Sequence, residues 1–154
     1  MNNLNIRPAA KRDIEAIGQL ARVTDLFPPE MLDTMIAGYL NETNHDVWFV
    51  GEQKARVITF GFCEPERMSS GTWNLLAIGV DPVFQGQGHG AKMLAYLEQK
   101  LSESSQRILI VETMGTPELA KTREFYRKNG YVEEARIREF YEAGADKVVF
   151  WKHL

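Results

Sequence analysis

Cysteine is almost missing from this chain of 154 residues, since Cys63 is the only one. A single cysteine cannot form a disulfide within the chain, and it cannot supply the cysteine cluster of a structural zinc site. The three histidines, His45, His89 and His153, are scattered along the sequence and form no metal-ligand motif. We therefore expect no bound metal.

Long apolar segments and one-sided charge are missing as well. No stretch approaches the roughly 18 consecutive apolar residues of a membrane-spanning helix, and the N-terminal MNNLNIRPAAKRD has no apolar signal core. The 18 basic and 21 acidic residues nearly balance, with no long run of like charge. The sequence thus predicts a cytoplasmic protein whose main partner is neither a membrane nor a nucleic acid.

The pattern of apolar residues predicts a mixed α/β fold in one domain over residues 1–154. The length suits one domain, and no repeat or linker interrupts it. Strand–helix–strand alternation in the second half implies at least one right-handed crossover in the sheet. The predicted order is a strand (LNIRPA), two helices, a hairpin turning at Gln53–Lys54, a strand (TWNLLAIGV), a helix (89–103), a strand (RILIVET), a helix (TPELAKTREFYRKNGY) and two strands around Ala143–Gly144.

Two of these segments carry more detailed expectations. RILIVET is a continuous apolar run, which is typical of a strand buried on both faces. In the helix that follows, Thr116 is placed to cap, Pro117 suits the first position, and Asn129–Gly130 ends the helix.

Three glycines, Gly86, Gly88 and Gly90, stand directly before the helix over residues 89–103. The P-loop motif fails because Ala91 and Met93 occupy the places of its second glycine and its Ser/Thr, and the dinucleotide fingerprint fails because its third glycine is one place out. Two interpretations remain. The segment is either a flexible turn or a stretch of bare backbone that approaches a phosphate.

The stretch QGQGHG, Gln85–Gly90, resembles the Arg/Gln-x-x-Gly-x-Gly/Ala motif of the GNAT superfamily of N-acetyltransferases. EFYRKNGY resembles that family's Phe-Tyr-x-x-x-Gly-Phe segment, with Tyr131 in place of the last phenylalanine. The opening IRPAAKRDIEAIGQL and the closing EEARIREFY and DKVVFWK are similar to the ends of several small bacterial members. The resemblance therefore runs nearly from end to end.

The resemblance implies a GNAT fold with acetyl-CoA as co-substrate. The expected sheet is mostly antiparallel, with about seven strands, splayed parallel strands 4 and 5, and about four helices. Glycine inside strand 4 indicates either a bulge or close packing at Gly79. We expect His89 at the solvent-facing start of its helix. The residues that the resemblance assigns to the cofactor, chiefly through their backbone, are Ile78, Gly79, Val80, Gln85, Gly86, Gln87, Gly88, His89, Gly90 and Ala91.

The resemblance also implies two catalytic side chains. Tyr126 corresponds to the tyrosine that protonates the leaving thiolate, although helical spacing alone allows a core role. Glu112 ends RILIVET, like the glutamate of ribosomal-protein N-terminal acetyltransferases, and it is either the base, an ammonium-binding group or a strand-end salt bridge. The sequence departs from the family at Leu119, where many members carry a cofactor-binding asparagine.

The acceptor site is the least determined part of the sequence. The resemblance places it among Phe27, Met31, Met35, Tyr39, Arg138, Tyr141 and Glu142, with Arg138 able to hold a carboxylate and Tyr141 able to pack on it. The predicted function is acetyl transfer to a primary amine of a small molecule such as an amino acid, by a monomer or homodimer. The alternatives are a ribosomal-protein-type N-terminal acetyltransferase and a CoA-binding module without turnover.

Overall fold

The computed structural model describes residues 3–154. Four helices and seven strands alternate along the chain, with short 3₁₀ turns before several helices. In chain order they are β1 (Asn5–Pro8), α1 (Ile14–Thr24), α2 (Leu32–Leu40), β2 (Val47–Gln53), β3 (Arg56–Pro65), β4 (Thr72–Val80), α3 (His89–Glu103), β5 (Ile108–Met114), α4 (Ala120–Lys128), β6 (Val132–Glu142) and β7 (Ala145–His153).

The strands form one sheet in the order β1-β2-β3-β4-β5-β7-β6. The pairs β1–β2, β2–β3, β5–β7 and β6–β7 are antiparallel, whereas β4 and β5 are parallel. The parallel ladder runs from Thr72 opposite Ile108 to Leu75 opposite Val111, although both strands continue beyond it. This arrangement confirms the predicted GNAT fold class.

The chain divides into two compact units, and the expectation of a single domain stays a prediction. The first unit comprises the chain up to Pro65 together with Leu76–Leu97. Apolar residues of α1 and α2, spaced three and four apart, are buried together with residues of β2 and β3. Its core is Ala9, Ile17, Leu20, Ala21, Leu32, Ile36, Trp48, Val50, Phe60, Phe62 and Ala77.

The second unit comprises Glu66–Leu75 and Glu98–Leu154, and β5 is its most informative strand. Leu109, Val111 and Thr113 are buried, while the residues between them are only partly so. The prediction that this strand is buried on both faces is therefore wrong. One face packs into the core and the other is only partly covered, which leaves Glu112 partly accessible.

The helix after β5 begins and ends close to where the sequence predicts. Pro117 opens a 3₁₀ turn ahead of α4, and Gly130 follows the helix with a φ of +90°. Thr116, however, makes no side-chain cap. The guanidinium of Arg123 instead donates to the carbonyls of Met114 and Thr116, at 2.9 and 2.7 Å.

Gly79 of β4 lies where a side chain would meet its neighbours. A Cβ there would stand 2.9 Å from both Leu26 Cδ1 and Phe60 Cε1. Leu26 is an exposed leucine that can shift, but the Phe60 ring is fully buried. The Gly79 carbonyl also accepts a 2.6 Å hydrogen bond from Thr59 Oγ1. Close packing therefore accounts for a glycine at this position.

Gly79→Ala should lower the free energy of unfolding by about 1–3 kcal/mol, because the added methyl group overpacks the space beside Phe60. Gly18→Ala is the matched control, since its Cβ would meet only Leu32 Cδ2 at 3.7 Å within α1. The control should raise stability by about 0.5–1 kcal/mol, because alanine favours the helix. Urea denaturation measures both, and a Gly79→Ala protein as stable as the parent contradicts the packing argument.

Candidate functional site

The turn between β4 and α3 is held at both of its ends. Asp81 Oδ1 accepts from the backbone N–H of Val83 at 3.0 Å, which starts a 3₁₀ turn over Pro82–Phe84. Gln85 Nε2 donates to the carbonyl of Val80 at 3.0 Å. The side chain of Gln85 thus braces the loop that follows, a contact with the protein itself that the motif alone does not reveal.

The loop then requires glycine for conformational reasons. Gly86 and Gly88 have φ values of +77° and +83°, in the left-handed region that side chains resist. A Cβ built on either residue would meet nothing within 4 Å. Backbone strain rather than crowding thus accounts for both glycines, and the space beside them is open. Such a loop at the N-terminus of a fifteen-residue helix fits the phosphates of a nucleotide cofactor.

His89, the first residue of α3, is buried rather than solvent-facing. Its ring is 1% exposed, and neither ring nitrogen has a hydrogen-bond partner within residues 3–154. Phe84 packs edge-on at 6.5 Å between ring centroids. Burial, and then the charge of Lys92, lower the pKa of His89 and favour the neutral imidazole. The solvent-facing prediction is wrong because Phe84, from the preceding turn, lies beside the ring.

The end of β4 carries the backbone that the sequence assigns to the cofactor, at Ile78, Gly79 and Val80. The Gly79 carbonyl accepts a hydrogen bond from the Thr59 hydroxyl, and the Val80 carbonyl accepts one from the Gln85 side-chain amide. This segment is consequently fixed in place by side chains of the first unit, independently of any ligand.

Tyr126 lies in the second unit, 4% exposed, on the buried side of α4. Its ring centroid is 5.2 Å from that of Phe125 and 5.7 Å from those of Tyr131 and Phe150. Burial raises the pKa of Tyr126, so the phenol keeps its proton at physiological pH. The ring is held by packing, and the protonated hydroxyl is in the form that a proton donor requires.

Glu112 forms an ion pair whose partner could not be named from the sequence. Its Oε2 lies 2.9 Å from Nζ of Lys147 on β7. The same ammonium lies 4.2 Å from the ring centroid of Phe140. Tyr141 stands edge-on to Phe140 at 5.1 Å, and its hydroxyl is close enough to Lys147 and Glu112 for both charges to act on it. We name Glu112, Phe140, Tyr141 and Lys147 the β5–β7 cluster.

Of the other predicted acceptor residues, Arg138 and Glu142 are exposed on the edge strand β6, and Phe27, Met31, Met35 and Tyr39 belong to the first unit. The pKa of Asp146 is lowered mainly by hydrogen bonds from the Glu139 N–H and from Arg136, and the charge of Arg138 lowers it further. Phe27 belongs to the first unit, where it packs edge-on against Phe60 at 6.0 Å. Sequence reasoning missed Lys147, since nothing local to β7 distinguishes it from Lys152.

Two features are absent from residues 3–154. No group of three or more histidine, cysteine, aspartate or glutamate side chains in this part of the chain is arranged to hold a metal ion. No helix in the same range is long and apolar enough to span a membrane.

Comparison with known proteins agrees with the fold. Residues 44–133 match the family model of the acetyltransferase (GNAT) domain. No curated protein matches the sequence. A GNAT-family protein from Desulfovibrio desulfuricans superposes with a TM-score of 0.89 at 24% identity, over 98% of this chain and 99% of that one.

Two further solved structures share the fold. The ribosomal-protein-alanine N-acetyltransferase of Brucella melitensis has a TM-score of 0.80 at 18% identity, covering 97% of this chain and 99% of its own. The yncA protein of Salmonella typhimurium, solved with its cofactor acetyl-CoA, has a TM-score of 0.79 at 18% identity, over 99% and 94% of the two chains.

The chain belongs to the GNAT acetyltransferase family. The predicted family, fold class and activity of an acetyl-CoA-dependent N-acetyltransferase are thereby confirmed. The amine that receives the acetyl group and the roles of the individual site residues stay predictions.

Gly88→Val should weaken acetyl-CoA binding at least about tenfold, since a β-branched residue resists the positive φ and its side chain enters the open space beside the loop. Gly144→Val is the matched control, because Gly144 has a φ of +78° and equally open surroundings in the β6–β7 hairpin. Urea denaturation should show a similar loss of stability for both variants. Calorimetric titration should show weakened binding only for Gly88→Val, and equal affinity in the two variants contradicts the loop assignment.

Proposed function

We propose that this protein transfers the acetyl group of acetyl-CoA to the primary amine of a small molecule such as an amino acid. The observation that carries this proposal is a partly exposed carboxylate, Glu112, in the unit that also holds the buried phenol of Tyr126. An amine reaches the enzyme largely as an ammonium and must lose a proton before it attacks, whereas the leaving thiolate must gain one. A carboxylate and a protonated phenol supply these two functions.

The donor would be bound mainly by backbone groups. The strained glycine loop and the start of α3 offer N–H groups to the pyrophosphate, and the end of β4 offers its backbone to the pantetheine arm. The residues proposed for this role are Ile78, Gly79, Val80, Gln85, Gly86, Gln87, Gly88, His89, Gly90 and Ala91. Acetyl-CoA, when bound, supplies the acetyl thioester.

Tyr126 would act as the general acid. As the new nitrogen–carbon bond forms and the carbon–sulfur bond breaks, the phenol donates its proton to the departing sulfur and regains one from solvent. Burial raises the pKa of Tyr126, so the phenol holds its proton until negative charge develops on the departing sulfur beside it. The packed ring fixes where that proton is held.

Glu112 would receive the proton that the attacking amine gives up, directly or through a water molecule. The ion pair between Glu112 and Lys147, 2.9 Å long at Oε2, would open as the substrate ammonium takes the place of Lys147 at the carboxylate. Before the proton is transferred, the same carboxylate would attract the substrate ammonium. Binding and deprotonation are thus successive uses of one group.

Tyr126→Phe keeps the packed ring and removes only the acidic hydrogen. We expect the acetylation rate to fall by about 100-fold or more, with acetyl-CoA affinity unchanged. The matched control is Tyr131→Phe, because Tyr131 is a buried ring next to Tyr126. This variant loses the 2.7 Å hydrogen bond that the Tyr131 hydroxyl donates to Glu98 Oε2. The control should lose about 1 kcal/mol of stability and keep its rate.

Turnover and melting temperature, measured on the same preparations, separate the two roles. A Tyr126→Phe protein that is fully active overturns the general-acid assignment and leaves Tyr126 as a core residue. If acetyl-CoA binds but no amine is acetylated by the parent protein, the alternative of a CoA-binding module replaces the proposal.

A further inference from the structure

The β5–β7 cluster contains one positive charge, that of Lys147, to which the proposed chemistry assigns no role. Lys147 lies diagonally across from Glu112, because Glu112 faces Val149 in the β5–β7 register and Lys147 is two residues before it. The side chain of Lys147 is 14% exposed and that of Glu112 is 27% exposed, so both charges are partly desolvated. Within residues 3–154, Glu112 is the only ion-pair partner of Lys147.

The ammonium of Lys147 is also held from a second side. It lies 4.2 Å from the centroid of the Phe140 ring, within the range of a cation–π interaction. Lys152, on the same strand, differs in that its ammonium pairs with Glu98 at 3.1 Å and also donates to the carbonyl of Asn129 at 2.9 Å. Lys147 therefore has hydrogen-bonding capacity left, whereas Lys152 is already committed to two acceptors.

Tyr141 adds a neutral hydrogen-bonding group to the same place. Its side chain is 38% exposed, and burial is the main cause of its raised pKa. The charges of Lys147 and Glu112 act on its hydroxyl in opposite directions. An anion, a cation and a phenol thus meet at one partly exposed surface, with Phe140 beside them.

The ion pair decides which acceptors fit. A simple cationic amine that takes the place of Lys147 at Glu112 leaves a partly buried ammonium without its counter-charge, and that loss is costly. A zwitterion carries an ammonium and a carboxylate on one carbon. Its ammonium can pair with Glu112 while its carboxylate pairs with Lys147, so neither side chain loses its counter-charge. A peptide N-terminus has an amide in place of that carboxylate and restores only half of the pair.

We propose that Lys147 binds the carboxylate of the acceptor, which makes this enzyme selective for free α-amino acids over their amides, over polyamines and over peptide N-termini. Tyr141 donates a further hydrogen bond to the same carboxylate. This inference rests on the proposed function, because it names the substrate class of that same site. It assigns to Lys147 the contact that the sequence had suggested for Arg138.

The test compares an α-amino acid with its own carboxamide, using the best acceptor from a panel of amino acids. Replacing the carboxylate by an amide removes the anion and keeps the amine and the side chain. A carboxamide also lowers the basicity of the amine, so a preference for the acid cannot come from easier deprotonation. Initial rates of thiol release give kcat/KM for both compounds.

For the parent protein, we expect kcat/KM to favour the acid by about 10- to 100-fold, the worth of one charge-assisted hydrogen bond. Lys147→Met should lower kcat/KM for the acid by the same factor and leave the carboxamide little changed. Lys147→Arg, which keeps the charge, should restore part of the preference. Lys152→Met, the control, loses the other β7 ion pair and should keep the full preference.

Each outcome separates this inference from the proposed function. Equal use of acid and carboxamide by the parent overturns the role of Lys147 while leaving acetyl transfer intact, and preferred use of peptides supports N-terminal acetylation instead. An equal loss for both compounds in Lys147→Met also overturns it, since that pattern marks a structural role. Absence of turnover with every amine overturns the proposed function and this inference together.

Discussion

The left-handed backbone at Gly86 and Gly88 is the constraint on which the proposed cofactor site depends. Neither glycine is required by crowding, because a Cβ at either position would meet nothing within 4 Å. The conformation itself excludes side chains. Asp81 and Gln85 hold the chain ahead of these residues, and α3 begins directly after them. Bare backbone at the positive end of a long helix is the result, and it is the arrangement that an anionic cofactor needs.

In the second unit, the chemistry depends instead on incomplete burial. β5 alternates between buried and partly covered residues, so Glu112 keeps access to solvent while its neighbours Val111 and Thr113 pack inward. Tyr126 is the opposite case, a phenol fixed by three neighbouring rings and kept protonated by burial. We propose that Glu112 accepts a proton and Tyr126 donates one, and the two groups differ in how deeply each is buried.

Much of the fold could be predicted from the sequence, because its signals are local. The hairpin at Gln53–Lys54, the proline before α4 and the glycine after it depend on residues within a few positions of each other. The family could also be predicted, since Gln85–Gly90 is a contiguous motif.

The rest depends on contacts that no local pattern encodes. Lys147 meets Glu112 only because β7 pairs with β5 in one particular register, although the two residues are 35 positions apart in the sequence. The burial of His89 follows from a ring in the preceding turn. The half-exposed face of β5 could not be inferred from its apolar composition, because Ile108 and Ile110 look like core residues in the sequence. Apolar composition alone therefore predicts burial on both faces of β5, whereas the packing covers only one face fully.

The central claim is that this protein acetylates a small primary amine at the expense of acetyl-CoA. The most direct measurement is thiol release in the presence of amino acids, polyamines and short peptides, with the N-acetyl product counted by mass spectrometry. The account predicts one product molecule for each thiol released, with free amino acids used best. Tight binding of acetyl-CoA without thiol release above the rate without acceptor, for every amine tried, would contradict it.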